Sequence, residues 1–115
     1  MLNSRLLRQF IAVAEELHYG RAALRVGMAQ SPLSQAIQRL EAHVGTPLFL
    51  RNKRAVSLTP AGRAFLEEAY QWLKFEQIAI ERAQHASNGE IGQLSLGYIG
   101  SSLYRKIRKH QITLA

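Results

Sequence analysis

The chain has 115 residues, with 15 Lys and Arg against 8 Asp and Glu, for a formal net charge of +7. That length suits one small domain and a piece of a second. The absence of cysteine excludes a disulfide framework and thiolate metal sites and fits a cytoplasmic protein, and no apolar run approaches the roughly 20 residues needed to span a bilayer.

The charge is unevenly spread. Residues 1–58 hold eight basic and three acidic residues, residues 59–90 three basic and five acidic, and residues 91–115 four basic and none acidic. A basic block followed by an acidic one points to contact with a polyanion first and a different task afterwards. The opening MLNSRLLRQFIAVAEELHYG carries an early Arg and then apolar residues, as a signal peptide would. Arg8, Gln9, Glu15 and Glu16 break any such apolar core, and helical periodicity explains the pattern better.

Leu6, Leu7, Phe10, Ile11, Ala14 and Leu17 give a first amphipathic helix, expected to end near His18 to Gly20, where Gly can adopt a positive φ. A short second helix covers Arg21 to Val26, with Ala22, Ala23 and Val26 inward and Gly27 as its stop. A third begins at Gln30, Ser31 and Pro32, where a proline costs no hydrogen bond, and runs to Gly45. A Ser or Gln at its start is expected to cap it. Its buried stripe is Leu33, Ile37, Leu40 and Val44, and its other face carries Ser31, Ser34, Gln35 and Gln38. Lys and Glu would make a better solvated helix surface. Uncharged amides and hydroxyls can instead donate and accept toward base edges.

Two short helices joined tightly over Gly27 to Gln30 have the layout of a helix-turn-helix, whose second helix lies in the DNA major groove. Arg5, Arg8, Arg21, Arg25 and Arg39 make its surroundings basic. Taken alone, the third helix is equally consistent with an ordinary solvated polar face in a three-helix bundle.

Residues 46–62, TPLFLRNKRAVSLTPAG, then read as a β-hairpin. Leu48, Phe49 and Leu50 form one arm, Val56 and Leu58 alternate along the other, and Arg51, Asn52, Lys53 and Arg54 make a basic turn. Directly after a recognition-type helix, such a hairpin is placed as a wing that can reach phosphates or the minor groove. Thr59-Pro60-Ala61-Gly62 starts a fourth helix, with Thr at the cap and Pro at the first position, expected to end at Asn88-Gly89. Its roughly 28 residues would be ~42 Å long. Leu66, Leu73 and Ile80 recur every seven residues, as do Phe65, Trp72 and Ala79. So broad a stripe on so long a helix is expected to pack against another chain. After Gly89, Gln93-Leu94-Ser95-Leu96-Gly97-Tyr98-Ile99-Gly100 alternates like a strand opening a further domain.

An enzyme is not indicated. His18, His43, His85 and His110 are scattered without metal-ligand spacing. Glu15-Glu16 and Glu67-Glu68 lie on expected helix surfaces, and no Gly-rich loop runs into Lys-Ser or Lys-Thr.

In order and spacing, LRQFIAVAEELHYGRAAL, AQSPLSQAIQRLEAHVGTPLF and RNKRAVSLTPAG resemble the N-terminal part of LysR-type transcriptional regulators. The resemblance covers residues 2 to about 100. It implies a mostly α fold, in which a winged helix-turn-helix over 1–58 precedes a linker helix over 59–88 that dimerises. Residues 89–115 would be the start of an effector-binding domain or a disordered tail, and the chain a truncated regulator. The resemblance further implies sequence-specific binding of double-stranded DNA, with helix 30–44 in the major groove. Gln30, Ser31, Pro32, Ser34, Gln35, Gln38 and Arg39 would lie at the groove and Arg21 beside it. Arg51, Lys53 and Arg54 would carry the wing to the backbone or minor groove.

The implied assembly is a homodimer through Phe65, Leu66, Ala69, Trp72, Leu73 and Ile80 on a pseudo-palindromic site, extending to a tetramer in a full-length form. No cofactor and no membrane association are implied, and a small-molecule inducer only with a full effector domain. The family often has Ser where this chain has Ala29, which would move the helix cap to Gln30 or Ser31. It often has Arg where this chain has Gln35; Arg favours guanine, whereas Gln pairs bidentately with adenine. The competing reading is a dimerising protein-interaction module with a basic surface. Only DNA readout predicts a residual sequence preference once salt has weakened the electrostatic contribution.

Overall fold

The computed structural model describes residues 2–52 and 55–96. Helices α1 (Ser4–Glu16), α2 (Tyr19–Val26) and α3 (Gln30–Val44) come first. A hairpin of β1 (Phe49–Arg51) and β2 (Val56–Leu58) follows, and then α4 (Pro60–Leu96). This is the expected mostly α, winged helix-turn-helix order. The chain divides into two compact units, Met1–Leu73 and Lys74–Ala115. No helix among the described residues is long and apolar enough to cross a membrane.

The core of the first unit is built from the inward stripes of its helices. Leu7, Phe10 and Val13 of α1 and Leu33, Ile37 and Leu40 of α3 are fully buried, and Ala22 and Ala23 let α2 approach closely. Phe10 is the hub: its ring lies 5.3 Å from that of Phe49 and meets Phe65 edge-on at 5.0 Å. Such aromatic pairs add about 0.5–1.5 kcal/mol beyond the area they bury. Leu48 and Phe49 close the core from the wing side. Val44, expected on the α3 stripe, is 37% exposed. It is the last residue of α3, just before Gly45, and Leu48 and Phe49 do the covering in its place.

The helix ends show which residues do the stopping. α1 starts on Asn3, whose side chain accepts from the Leu6 amide at 2.8 Å. It ends at Leu17, one residue before the expected His18 to Gly20, and Leu17 instead of a glycine takes the left-handed conformation, at φ 50. Gly20 lies inside α2, which begins early because the His18 imidazole accepts the Arg21 amide at 2.9 Å. A Cβ on Gly20 would sit 2.9 Å from the His18 ring, so that glycine answers to space and not to φ. Gly27 does stop α2, at φ 71, and turns the chain into α3.

The wing is a short antiparallel pair with Phe49 opposite Leu58 and Arg51 opposite Val56. Its root is tied to the start of α4. The Thr59 amide donates to Leu48 O at 3.0 Å, and its hydroxyl donates to Pro47 O at 2.8 Å while accepting the Gly62 amide at 2.8 Å. Thr59 thus caps α4 as expected. Gly62 sits so close to the wing that a Cβ there would be 2.0 Å from Leu48 O.

Two expectations about α4 are corrected. The helix does not stop at Asn88-Gly89; it continues through Leu96, so Gln93–Leu96 are helical and not a strand. Nothing lies within 4 Å of where a Gly89 Cβ would be, so no contact forces a break there, and a short alternating run does not by itself decide between strand and helix. Residues 97–100 of the expected strand lie outside the described residues.

The second correction concerns the stripe assigned to another chain. Ala69 is 2% exposed, and Phe65, Leu66 and Leu73 pack against the core of their own unit. The seven-residue spacing is real, and from Phe65 to Leu73 the winged domain itself supplies part of the partner surface. Of the six residues expected at a dimer seam, Trp72 and Ile80 are the exposed ones, at 43% and 45%, and Phe75 joins them at 69%.

Candidate nucleic-acid interface

The polar face of α3 is open to solvent. Gln30, Ser31, Pro32, Gln35, Gln38 and Arg39 are exposed and Ser34 is half-buried, while Leu33, Ala36, Ile37 and Leu40 occupy the opposite, buried face. Because Pro32 falls in the first turn and Gly45 closes the last, α3 presents Ser31, Ser34, Gln35 and Gln38 along one side over two turns. The N-cap is Ala29, with no side-chain cap, so the expectation that Gln30 or Ser31 caps the helix is not met. Both lie inside α3, and their side chains are not used in closing its end. Gln30 lies beside the start of α2, its amide oxygen 3.6 Å from the position a Gly20 Cβ would take. The first turns of the two helices therefore share one surface.

The neighbouring charges differ in how far they are engaged. Arg25 is neutralised by Glu15 at 2.5 Å and Glu16 at 3.2 Å, and its guanidinium is held above the usual Arg range chiefly by the Glu15 bond. Glu15 in turn accepts a hydrogen bond from the Tyr70 hydroxyl of α4. Tyr70 first, and then Arg25, hold the Glu15 carboxyl below the usual carboxylate range. Arg21 donates to Glu16 O at 3.1 Å and lies 3.5 Å from its carboxylate, yet its side chain remains 61% exposed. It keeps most of its reach toward solvent.

Arg51 departs most from the simple picture of a wing cation. Its Nη2 and Nε donate to the Tyr19 hydroxyl at 2.6 and 3.1 Å, and its guanidinium carbon is 5.4 Å from the centre of the Tyr19 ring. Glu41 of α3 lies 3.4 Å away on the other side. The second oxygen of that carboxylate accepts the Leu48 and Phe49 amides at 2.7 and 3.0 Å. Burial lowers the Arg51 pKa, but the bonds to Tyr19 and the Glu41 charge outweigh it and hold Arg51 above its ordinary range. Burial pushes the Tyr19 phenol upward. Lys53 and Arg54 lie outside the described residues. Tyr19 and Glu41 were not singled out from the sequence. Arg51 is 32 residues from Tyr19 along the chain, so no local pattern could have paired them.

Comparison with known proteins agrees with this architecture. Residues 4–63, just over half of the chain, match the family of bacterial regulatory helix-turn-helix proteins called lysR. The chain belongs to the LysR family. This LysR-family chain is 46% identical over 113 residues to the transcriptional regulator BudR of Klebsiella aerogenes, covering 94% of this chain and 79% of BudR. It is 47% identical over 103 residues to the regulator TfdS of Cupriavidus pinatubonensis, covering 90% of this chain and 35% of TfdS. The chain thus spans about a third of the length of TfdS.

Among solved structures, the DNA-binding domain of CbnR in complex with DNA superposes with a TM-score of 0.72 at 38% identity, over 75% of this chain and 99% of that one. The BenM DNA-binding domain on its benA site 1 DNA gives 0.72 at 35% identity, over 76% and 99%.

Proposed function

We propose that this chain binds double-stranded DNA sequence-specifically as a LysR-type transcriptional regulator, and that it does so as a homodimer. The observation that carries the reading is the face of α3. Its exposed residues bear amides and hydroxyls where solubility alone would favour ions, on the second helix of a helix-turn-helix. Each such group can both donate and accept, which the edges of base pairs require. The relatives named as transcriptional regulators and the CbnR and BenM domains solved on DNA support the same reading.

In this proposal Gln30, Ser31, Ser34, Gln35 and Gln38 face the major groove, with Pro32 at its edge. Arg21, Arg39, Lys53 and Arg54 contact phosphates or an A·T-rich minor groove. Such cations supply affinity, whereas base contacts supply specificity. The dimer uses the exposed apolar residues of α4, Trp72, Phe75 and Ile80. Two-fold symmetry then calls for a pseudo-palindromic site with half-sites separated by whole helical turns. The chain acts as a binding protein and not as an enzyme.

Selection of bound duplexes from a random library, followed by gel shifts of the winners and scrambled controls at rising salt, tests the proposal. Enrichment of a paired motif that keeps its advantage at high salt supports it. Equal binding of all sequences at every salt concentration rejects sequence-specific readout.

A further inference from the structure

Resting on the proposed DNA-binding reading, we propose that Arg51, Tyr19 and Glu41 form a brace that sets the position of the wing relative to the recognition helix, so that Arg51 is a positioning residue and not itself a DNA contact. The geometry carries this. One carboxylate on α3 holds the root of β1 through two backbone amides, at 2.7 and 3.0 Å, and reaches Arg51 at 3.4 Å from its other oxygen. Arg51 stands at the end of β1 and donates twice to the phenol of Tyr19, the first residue of α2. The three groups therefore connect both helices of the helix-turn-helix to the strand that leads into the wing.

The side chain of Glu41 is only 12% exposed and that of Arg51 35%, so the bonds are partly shielded from water, where a charged hydrogen bond has more effect. A planar guanidinium suits this place because its fork can meet the phenol twice while facing a carboxylate; a Lys ammonium cannot. Thr59 and the buried Leu48 and Phe49 hold the root of this short hairpin, and the brace adds a hold at Arg51, the outer end of β1.

A direct phosphate contact and a brace predict opposite signs. If Arg51 touches phosphate, removing its internal partners frees it, and Glu41→Gln also removes a nearby anion, so both Tyr19→Phe and Glu41→Gln should bind DNA as tightly as the wild type or more tightly. If Arg51 is a brace, both should bind more weakly although neither changes a DNA-facing group. Glu41→Gln suits the test, because an amide oxygen can keep the Leu48 and Phe49 amides while its NH2 faces Arg51 and breaks that link.

The experiment measures affinity for the selected full duplex and for one trimmed on the wing side, with thermal melting as the check on folding. The expected result is a weakening on the order of tenfold on the full duplex for Tyr19→Phe, Glu41→Gln and Arg51→Lys alike. Their full-to-trimmed affinity ratios should fall toward one, with melting close to wild type, and Tyr19→Phe combined with Arg51→Lys should be no worse than either alone. A general loss of structure would instead weaken both duplexes equally and would overturn the brace. So would unchanged or tighter binding by Glu41→Gln and Tyr19→Phe, or wild-type behaviour of Arg51→Lys. Wild-type protein that binds no duplex at all would remove the DNA-binding reading, and the brace with it, whereas a bound wild type with tight variants removes the brace alone.

Discussion

Two helices of this protein leave residues exposed, and they expose opposite chemistry. On the first two turns of α3 the open side chains are mostly Gln and Ser; on α4 they include Trp72, Phe75 and Ile80. Neither set is what a surface facing only water would choose. The first offers directional hydrogen bonds with almost no net charge, which suit a partner with a pattern of donors and acceptors. The second offers area without direction, which suits another apolar face. Exposure alone therefore does not identify a site; the kind of group left exposed points to the kind of partner.

The most drastic way to break this contrast is to remove what both helices rest on. Phe10 is fully buried and packs against both Phe49 and Phe65, so Phe10→Ala should cost about 3–5 kcal/mol and is expected to unfold much of the first unit at physiological temperature. Urea denaturation followed by circular dichroism would measure the loss. The α4 set can be broken separately. Trp72→Glu with Phe75→Glu should give monomers whose winged domain still melts normally, because both side chains are exposed within their own chain. Each large side chain buried in a dimer contributes about 1.5–3 kcal/mol, so dissociation should be evident by light scattering at tens of micromolar. A double variant that stays dimeric would move the interface off these residues.

The α3 set should respond more modestly and more selectively. Gln35→Ala is expected to cost ~1–3 kcal/mol on the preferred duplex and far less on random DNA, leaving the melting temperature unchanged. Equal losses on both duplexes would make Gln35 something other than a base reader. The smallest expected effect sharpens the comparison from the scaffold side. Glu15, held below the usual carboxylate range by Tyr70 and Arg25, contributes stability that is present above that range and lost as pH falls through its lowered value. Tyr70→Phe should reduce this acid-dependent portion by less than about 1 kcal/mol, since Glu15 is substantially exposed. Melting curves below pH 5 for the two proteins would show the difference or its absence.

Much of this architecture was legible in the sequence because helical periodicity is a local signal. The stripe Leu33, Ile37, Leu40, the stop at Gly27 and the Thr59-Pro60 start each depend on residues a few positions apart, and the structure has all of them. The α4 stripe shows where such a signal ends. A seven-residue recurrence gives the helix a face but does not say what covers it, and Phe65, Ala69 and Leu73 turn toward their own unit. Leu17 as a left-handed cap, Ala29 as an N-cap without a side-chain bond, and helix continuing through Gly89 all go against the usual residue preferences. Each departs from a preference worth only about 1 kcal/mol, small enough for the remaining residues of the element to override. The Tyr19–Arg51–Glu41 cluster is of another kind. Its members are distant in sequence and are brought together only by the completed fold.

The close seat of Gly62 against Leu48 O has a consequence for the order in which the molecule assembles. A hairpin this short does not persist alone in water. Its root depends on groups delivered from outside, the Glu41 carboxylate on one side and the first turn of α4 on the other, held by Thr59 and admitted by the missing Cβ of Gly62. Such an element should form after its supports and should be the first lost in sub-global opening. When the first turn of α4 lifts away, the strand amides of the wing should exchange with solvent while those of α1 and α3 remain protected. The wing should thus form last during folding and open first, and amide exchange can follow it without any ligand present.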